Sequence, residues 1–163
     1  MHARLDAMKA APGAYRAMAQ LQQYVEGTSL EHSLLELVKM RASQINGCAY
    51  CIDMHSKDAL ALGESAQRLL ALDAWRETPF FTDRERAALA WTEAVTLIHQ
   101  GHASDAVFEE VRPHFTDEEL VNLTMAIVAI NGWNRIAIPF RVPVGGYQSP
   151  HAKHAEPAEA VPA

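Results

Sequence analysis

Apolar side chains recur at three- and four-residue spacing through most of the chain, a period that predicts amphipathic helices. From Pro12, suited to a first helical turn, Tyr15, Met18, Leu21 and Val25 share one face until Gly27 ends the pattern. Thr28-x-x-Glu31 has the form of a capping box, and Leu30, Leu34, Leu37, Val38, Arg41 and Ile45 then repeat up to the turn pair Asn46-Gly47. Glu36 lies off that stripe. The next helix runs from about Cys48 to Leu62, with Gly63 as its stop, and Ser65 can cap another through Leu72 to Trp75. Beyond Pro79, Phe80 and Phe81, Thr82-x-x-Glu85 opens a helix whose Ala88, Leu89, Trp91, Thr92, Val95 and Ile98 face a core up to Gly101. A shorter segment, Ser104 to Arg112, precedes Pro113, and Thr116-x-x-Glu119 repeats the capping device before Leu120, Leu123, Thr124, Ile127, Val128 and Trp133. That last run is apolar on more than one side, as expected of a helix that is buried or lies at a subunit contact.

No alternating strand pattern and no repeat at solenoid spacing emerges, and Gly and Pro fall mostly between the helical segments. The fold class is therefore all-α, with about six or seven helices. Residues 1–145 read as a single domain, and 146–163, containing HAKHAEPAEAVPA, as a flexible or arm-like tail. His151 and His154, with Lys153 among alanines, read as solvated. Trp75, Trp91 and Trp133, with Phe80 and Phe81, read as core or interface residues, and Arg41 and Arg135 as partners for carboxylates between helices.

At 163 residues the chain can bury a core without staples. Its net charge of −6 offers neither nucleic acid nor an anionic membrane an electrostatic reason to bind. The longest apolar run, Met125 to Ile130, is far short of the ~20 residues that cross a bilayer. The start shows no apolar targeting core, so a cytoplasmic location is expected. Cysteines are ordinarily reduced there, and a close pair then points to redox chemistry or a metal rather than to a structural bridge.

The chain's two cysteines stand in the stretch ELVKMRASQINGCAYCIDMH, residues 36–55. If the Asn46-Gly47 pair starts a new helix, Cys48, Cys51, His55, Ala59 and Leu62 fall along one stripe. Glu36 reaches it only if its own helix folds back. A thiol at a helix N-terminus beside a second thiol and an imidazole is shifted toward thiolate, the nucleophilic form. Such a thiolate can attack a peroxide oxygen while His55 protonates the departing oxygen and Glu36 orients the ring. The sulfenic acid so formed is captured by the other cysteine as a disulfide, which an external dithiol reduces. Zinc is the competing reading, with Cys48, Cys51 and His55 as ligands, Glu36 or another histidine as a fourth, and His99 with His102 as a nearby second pair. A thioredoxin-type module is disfavoured, because its CxxC follows a strand and here a helix precedes it.

Glu36, eleven residues, Cys48-x-x-Cys51, three residues and His55, led by KMRASQINGC, resembles the AhpD-like alkylhydroperoxidase branch of the carboxymuconolactone decarboxylase family. The likeness extends over roughly residues 20 to 100, and Asn131-Gly132-Trp133-Asn134-Arg135 has the same look. The resemblance implies an all-helical subunit assembling into a homotrimer or homohexamer. Its proton relay maps onto Glu36, His55 and the cysteines, with Cys51 attacking and Cys48 resolving. Helix-terminus electrostatics alone favours the opposite order. One departure stands out: Tyr50 occupies the position before the second cysteine where peroxidases of this type can carry histidine. A phenol can donate a hydrogen bond there but is no base near neutrality.

The expected activity is that of a dithiol peroxidase acting on hydrogen peroxide or alkyl hydroperoxides. It needs no bound cofactor or metal and is reduced by a lipoyl or thioredoxin-like protein. The alternatives are a disulfide reductase or adaptor feeding a peroxiredoxin, and a non-catalytic helical oligomer that senses redox state or holds zinc.

Overall fold

Side-chain caps mark where several of the helices begin. Thr82 and Thr116 each accept the N–H three residues on, while Glu85 and Glu119 return a bond to the cap backbone, so both of these capping boxes form. Ser65 accepts from Arg68 N–H in the same manner. The expected box at Thr28-x-x-Glu31 does not form. The Thr28 hydroxyl donates back to the Val25 carbonyl at 2.8 Å, and Glu31 spends its carboxylate on Arg84, at 3.1 and 3.2 Å. A guanidinium also held by Glu119 at 2.7 Å is a stronger partner than a backbone amide.

The computed structural model describes residues 2–152. Among them are nine α-helices: α1 Ala7–Ala10, α2 Pro12–Glu26, α3 His32–Asn46, α4 Ala49–Ala61, α5 Ala66–Ala71, α6 Asp83–Thr96, α7 Ile98–Gly101, α8 Asp105–Val111 and α9 Asp117–Phe140. Two 3-10 turns, Leu72–Glu77 and Arg112–His114, complete the described residues, which contain no strand. The number exceeds six or seven partly because the helix expected to reach Gly101 is interrupted at Leu97, with φ −98° and ψ 35°. The four-residue α1, capped by Asp6, adds another. No helix among the described residues is long and apolar enough to cross a membrane.

The architecture is built around α3, which packs against α4, α6 and α9. Leu35, Leu37 and Val38 on α3 meet Leu89 on α6 and Leu123 and Ile127 on α9 in the main apolar core. A smaller apolar cluster gathers Ala42, both cysteines, Ile130 and Ala137. Arg41 leaves α3 to bind Glu93 on α6 and Asp73 in the first 3-10 turn. Glu93 also accepts from the Trp75 indole at 2.9 Å. Arg135 departs from its expected role: it bonds Asn131 on its own helix, at the backbone carbonyl and at Oδ1, and among the described residues it pairs with no carboxylate.

The turn that sends the chain from α3 into α4 is held by an amide cluster. Gly47 adopts φ +68°, the left-handed conformation glycine reaches without a Cβ clash. The N–H groups of Gly47 and Cys48 return to the Gln44 and Ser43 carbonyls at 3.1 and 3.0 Å. Behind the turn, the Asn46 amide donates to Asn131 and Asn134 on α9, at 2.9 and 2.8 Å, and the fully buried Asn134 donates to Ser43 at 3.2 Å. The Asn131-Gly132-Trp133-Asn134-Arg135 segment therefore buttresses the turn. Asn134→Ala orphans the Ser43 hydroxyl and removes one acceptor of Asn46. A loss of ~1–3 kcal/mol in urea unfolding is expected, against less than ~0.5 kcal/mol for Val128→Ala on the exposed side of α9.

Candidate functional site

Cys48 is the cap of α4 rather than its first helical residue. Its backbone is extended, with φ −82° and ψ 92°, and its sulfur accepts the Cys51 N–H at 3.4 Å. The two cysteines are joined as a disulfide, their Cα atoms 5.3 Å apart. Cys51 and His55 follow on the same face of α4, both buried, with Ala59 beneath them. Leu62, expected on that stripe, is exposed.

Glu36 comes to this face because α4 folds back on α3. Its Oε2 lies 2.8 Å from His55 Nδ1, and its Oε1 accepts from Lys39 Nζ, also at 2.8 Å. The Lys39 ammonium donates as well to Glu26 at 2.5 Å. Burial alone would push the Glu36 carboxyl up, but the His55 hydrogen bond and charge and the Lys39 charge outweigh it and hold the group below its ordinary value. Burial opposes the charged form of Lys39 too, yet Glu36 and Glu26 raise it above its ordinary value. An ionised Glu36 can only accept, so the hydrogen between it and the ring belongs to His55 Nδ1. Nε2 is left for exchange with whatever occupies the site.

That site is a cleft of about 410 Å³, within the usual range for small-molecule pockets. Cys51, His55, Glu36 and Tyr50 line it, whereas Cys48 does not. Tyr15, Met54, Trp133, Ile136 and Val142 supply an apolar wall, with the Tyr15 and Trp133 rings edge to face at 5.1 Å. Tyr50 is half-buried, and burial, followed by neighbouring Tyr15 and the carboxylates of Asp53 and Asp58, raises its phenol above the ordinary value. A phenol so raised does not act as a base near neutrality.

Four contributors were not singled out by the sequence: Lys39, Glu26, Asp58 and Tyr147. The first and third were within reach of pattern reading, Lys39 one turn from Glu36 and Asp58 one turn beyond His55. Glu26 and Tyr147 were not, because their places are set by tertiary packing. Tyr147, from the segment assigned to the tail, donates its phenol to the buried Asp58 carboxylate at 2.9 and 3.0 Å. Its carbonyl accepts from Lys57 Nζ at 3.1 Å. Burial, then that hydrogen bond and the Asp58 charge, push the phenol far above its ordinary value. Lys153 and His154 lie outside the described residues.

Among the described residues, Glu36, His55 and Asp58 bring ligand-type atoms within 4.8 Å of one another. Protein donors already engage both Glu36 oxygens and both Asp58 oxygens. His99 and His102 do not join that group. The two sulfurs of the zinc reading are bonded to each other.

The pattern of the carboxymuconolactone decarboxylase family matches residues 12–94. An uncharacterised Bacillus subtilis protein, YdfG, is 41% identical over 138 residues, spanning 85% of this chain and 94% of the relative. The chain belongs to the carboxymuconolactone decarboxylase family. Within it, the fold is AhpD-like: a crystal structure of an Agrobacterium tumefaciens protein of unknown function, linked by name to the antioxidant defence protein AhpD, superposes with a TM-score of 0.87. The two are 46% identical, over 90% of this chain and 100% of that one. The debrominase Bmp8 shares the fold at a TM-score of 0.75, covering 85% of this chain and 75% of its own, with 20% identity. A shared fold at that distance leaves the reaction to be argued from the site.

The buried charges of Glu36 and Lys39 and the Tyr147–Asp58 contact each carry a prediction. Glu36, lower in the folded than in the unfolded chain, contributes stability that is complete above about pH 5 and lost as pH falls through its folded value. Lys39, raised on folding, contributes stability complete below about pH 10 and lost above it. Urea midpoints should fall at both extremes, and Glu36→Gln should flatten the acid limb. An acid limb as steep as in the unsubstituted protein contradicts the assignment. Tyr147→Phe strips Asp58 of its donor, and ~1–3 kcal/mol of stability should go with it, together with faster amide exchange across residues 145–151.

Proposed function

We propose that the protein is a dithiol peroxidase that reduces hydrogen peroxide or alkyl hydroperoxides. The observation that carries this reading is the placement of Cys51 on the wall of the cleft that also holds the His55–Glu36 pair, with Cys48 behind it. In the reduced protein the Cys51 thiolate attacks the terminal peroxide oxygen. An S–O bond forms, the O–O bond breaks, and the departing alkoxide or hydroxide takes a proton from His55. Cys48, as thiolate, then attacks the sulfenic sulfur. The S–S bond forms, the S–O bond breaks, and water leaves after a proton returns through the same imidazole. A lipoyl or thioredoxin-like dithiol reduces the disulfide by exchange and is itself oxidised. Assembly into a trimer or hexamer belongs to this reading, with exposed Val121 and Val128 on α9 offering apolar surface for it.

The test is peroxide consumption with dihydrolipoamide as reductant. Cys51→Ser should abolish turnover, Cys48→Ser should allow one turnover and leave a sulfenic acid that dimedone traps, and His55→Ala should lower kcat by ~10²–10⁴. Turnover at the unsubstituted rate in Cys51→Ser overturns the proposal.

Tyr50 favours a second reading, since a phenol replaces a residue that could exchange protons at neutral pH. The dithiol would then pass electrons from a carrier to a separate peroxiredoxin. A reduced protein that reduces no peroxiredoxin disulfide eliminates it.

A further inference from the structure

Lys39 is a lysine sealed into the interior, its side chain 4 % exposed. With its two carboxylates and His55 it completes an alternating row, Glu26, Lys39, Glu36, His55, running from α2 through α3 to α4. All four members line the cleft that Cys51 faces. Desolvating an ammonium is costly, and a hydrocarbon side chain of similar length fills the same space without that cost. The core therefore does not need the charge.

Glu36 does. Around it, α2 contributes Glu26 and Gln22 to the cleft, α4 contributes His55 and Asp58, and the C-terminal segment contributes Tyr147 and His151. Tyr50 stands at the start of α4 and Tyr15 near the start of α2, and α9 brings only apolar side chains. Glu26, Glu36 and Asp58 thus crowd one cleft, and among its described residues Lys39 is the single lysine or arginine. Without that cation, burial and like charge would both favour a proton on Glu36. A protonated Glu36 would no longer assign the ring hydrogen to Nδ1 or support an imidazolium beside the thiolate.

We infer that Lys39 is a positioning residue for the proton relay: by bridging Glu26 and Glu36 it keeps the Glu36 carboxylate ionised and aimed at His55. Lys39 touches no reacting atom and acts through Glu36. The inference rests on the dithiol reading of this site, but its test does not require peroxide turnover.

The experiment is a double-mutant cycle of Glu36→Gln, Lys39→Met and the double variant, on the reduced full chain. Its readout is the pH midpoint of iodoacetamide alkylation at Cys51, resolved from Cys48 by peptide mass spectrometry. Lys39→Met should move the midpoint up by about one pH unit, which is about tenfold slower alkylation on its acid side. Glu36→Gln should move it the same way, and the double variant no further than Glu36→Gln alone. An unchanged midpoint in folded Lys39→Met overturns the inference. So does a further upward shift in the double variant as large as that of Lys39→Met by itself, since Lys39 would then act without Glu36. If Lys39→Met does not accumulate as folded protein, the comparison of Glu36→Gln with the double variant decides. Peroxide turnover is followed separately: its absence in the unsubstituted protein removes the peroxidase reading, and the alkylation midpoints still report on Lys39.

Discussion

An ionised carboxylate in the middle of a protein's central helix has to be answered by cations and donors, and in this structure that requirement organises the site. Glu36 sits on a helix whose other faces supply the main apolar core, so its partners must arrive from neighbouring elements. His55 comes from α4, Lys39 from one turn further along α3, and Glu26 from α2 balances the lysine. Glu36 and Lys39 are each expensive to bury alone and tolerable only with their partners, while Glu26 keeps part of its side chain in solvent. The helices that carry them are thereby fixed in register with the cysteine helix.

The all-α class, the two capping boxes that form and the Cys48-Cys51-His55 stripe could be read from spacing, because capping residues, helical period and short-range stripes are local properties of a chain, whereas Glu36 joined that stripe only on the condition that its helix folds back. The turn Asn46-Gly47 was legible as a turn, but its buttress was not: Asn131 and Asn134 stand more than eighty residues away, and nothing in their spacing names Asn46 as their partner. The same limit explains Tyr147, which looked like part of an unpatterned tail and is held by Asp58 and Lys57. Thr28-x-x-Glu31 shows the converse failure. Its local pattern was sound, yet a distant guanidinium competed for the glutamate and won.

Geometry sharpens the ordering of the two sulfurs. Helix-terminus electrostatics favours Cys48 as the more readily ionised thiol, and the structure puts that sulfur at the cap, accepting an amide hydrogen. It also turns Cys48 away from the cleft and leaves Cys51 on its wall. Ease of ionisation and access to a substrate are thus divided between the two cysteines. In the proposed cycle a nucleophile needs both, and His55, one turn from Cys51 on the same face, would supply locally what the helix terminus gives its neighbour.

Helix α9 carries two kinds of side chain on successive positions. Asn131 and Asn134 turn toward the loop that sets the cysteines in place, while Trp133, Ile136 and Ala137 turn toward the cleft. The groups of the proposed relay are drawn from α3 and from α4 with its cap. Scaffold, wall and chemistry therefore occupy separate residues, so the cleft can be re-lined at Trp133 or Ile136 without touching the amides that hold the turn or the groups that move protons. Within one helix the molecule keeps the residues that hold the turn apart from those that line the cleft, a division that would let a single scaffold be fitted to differently shaped ligands.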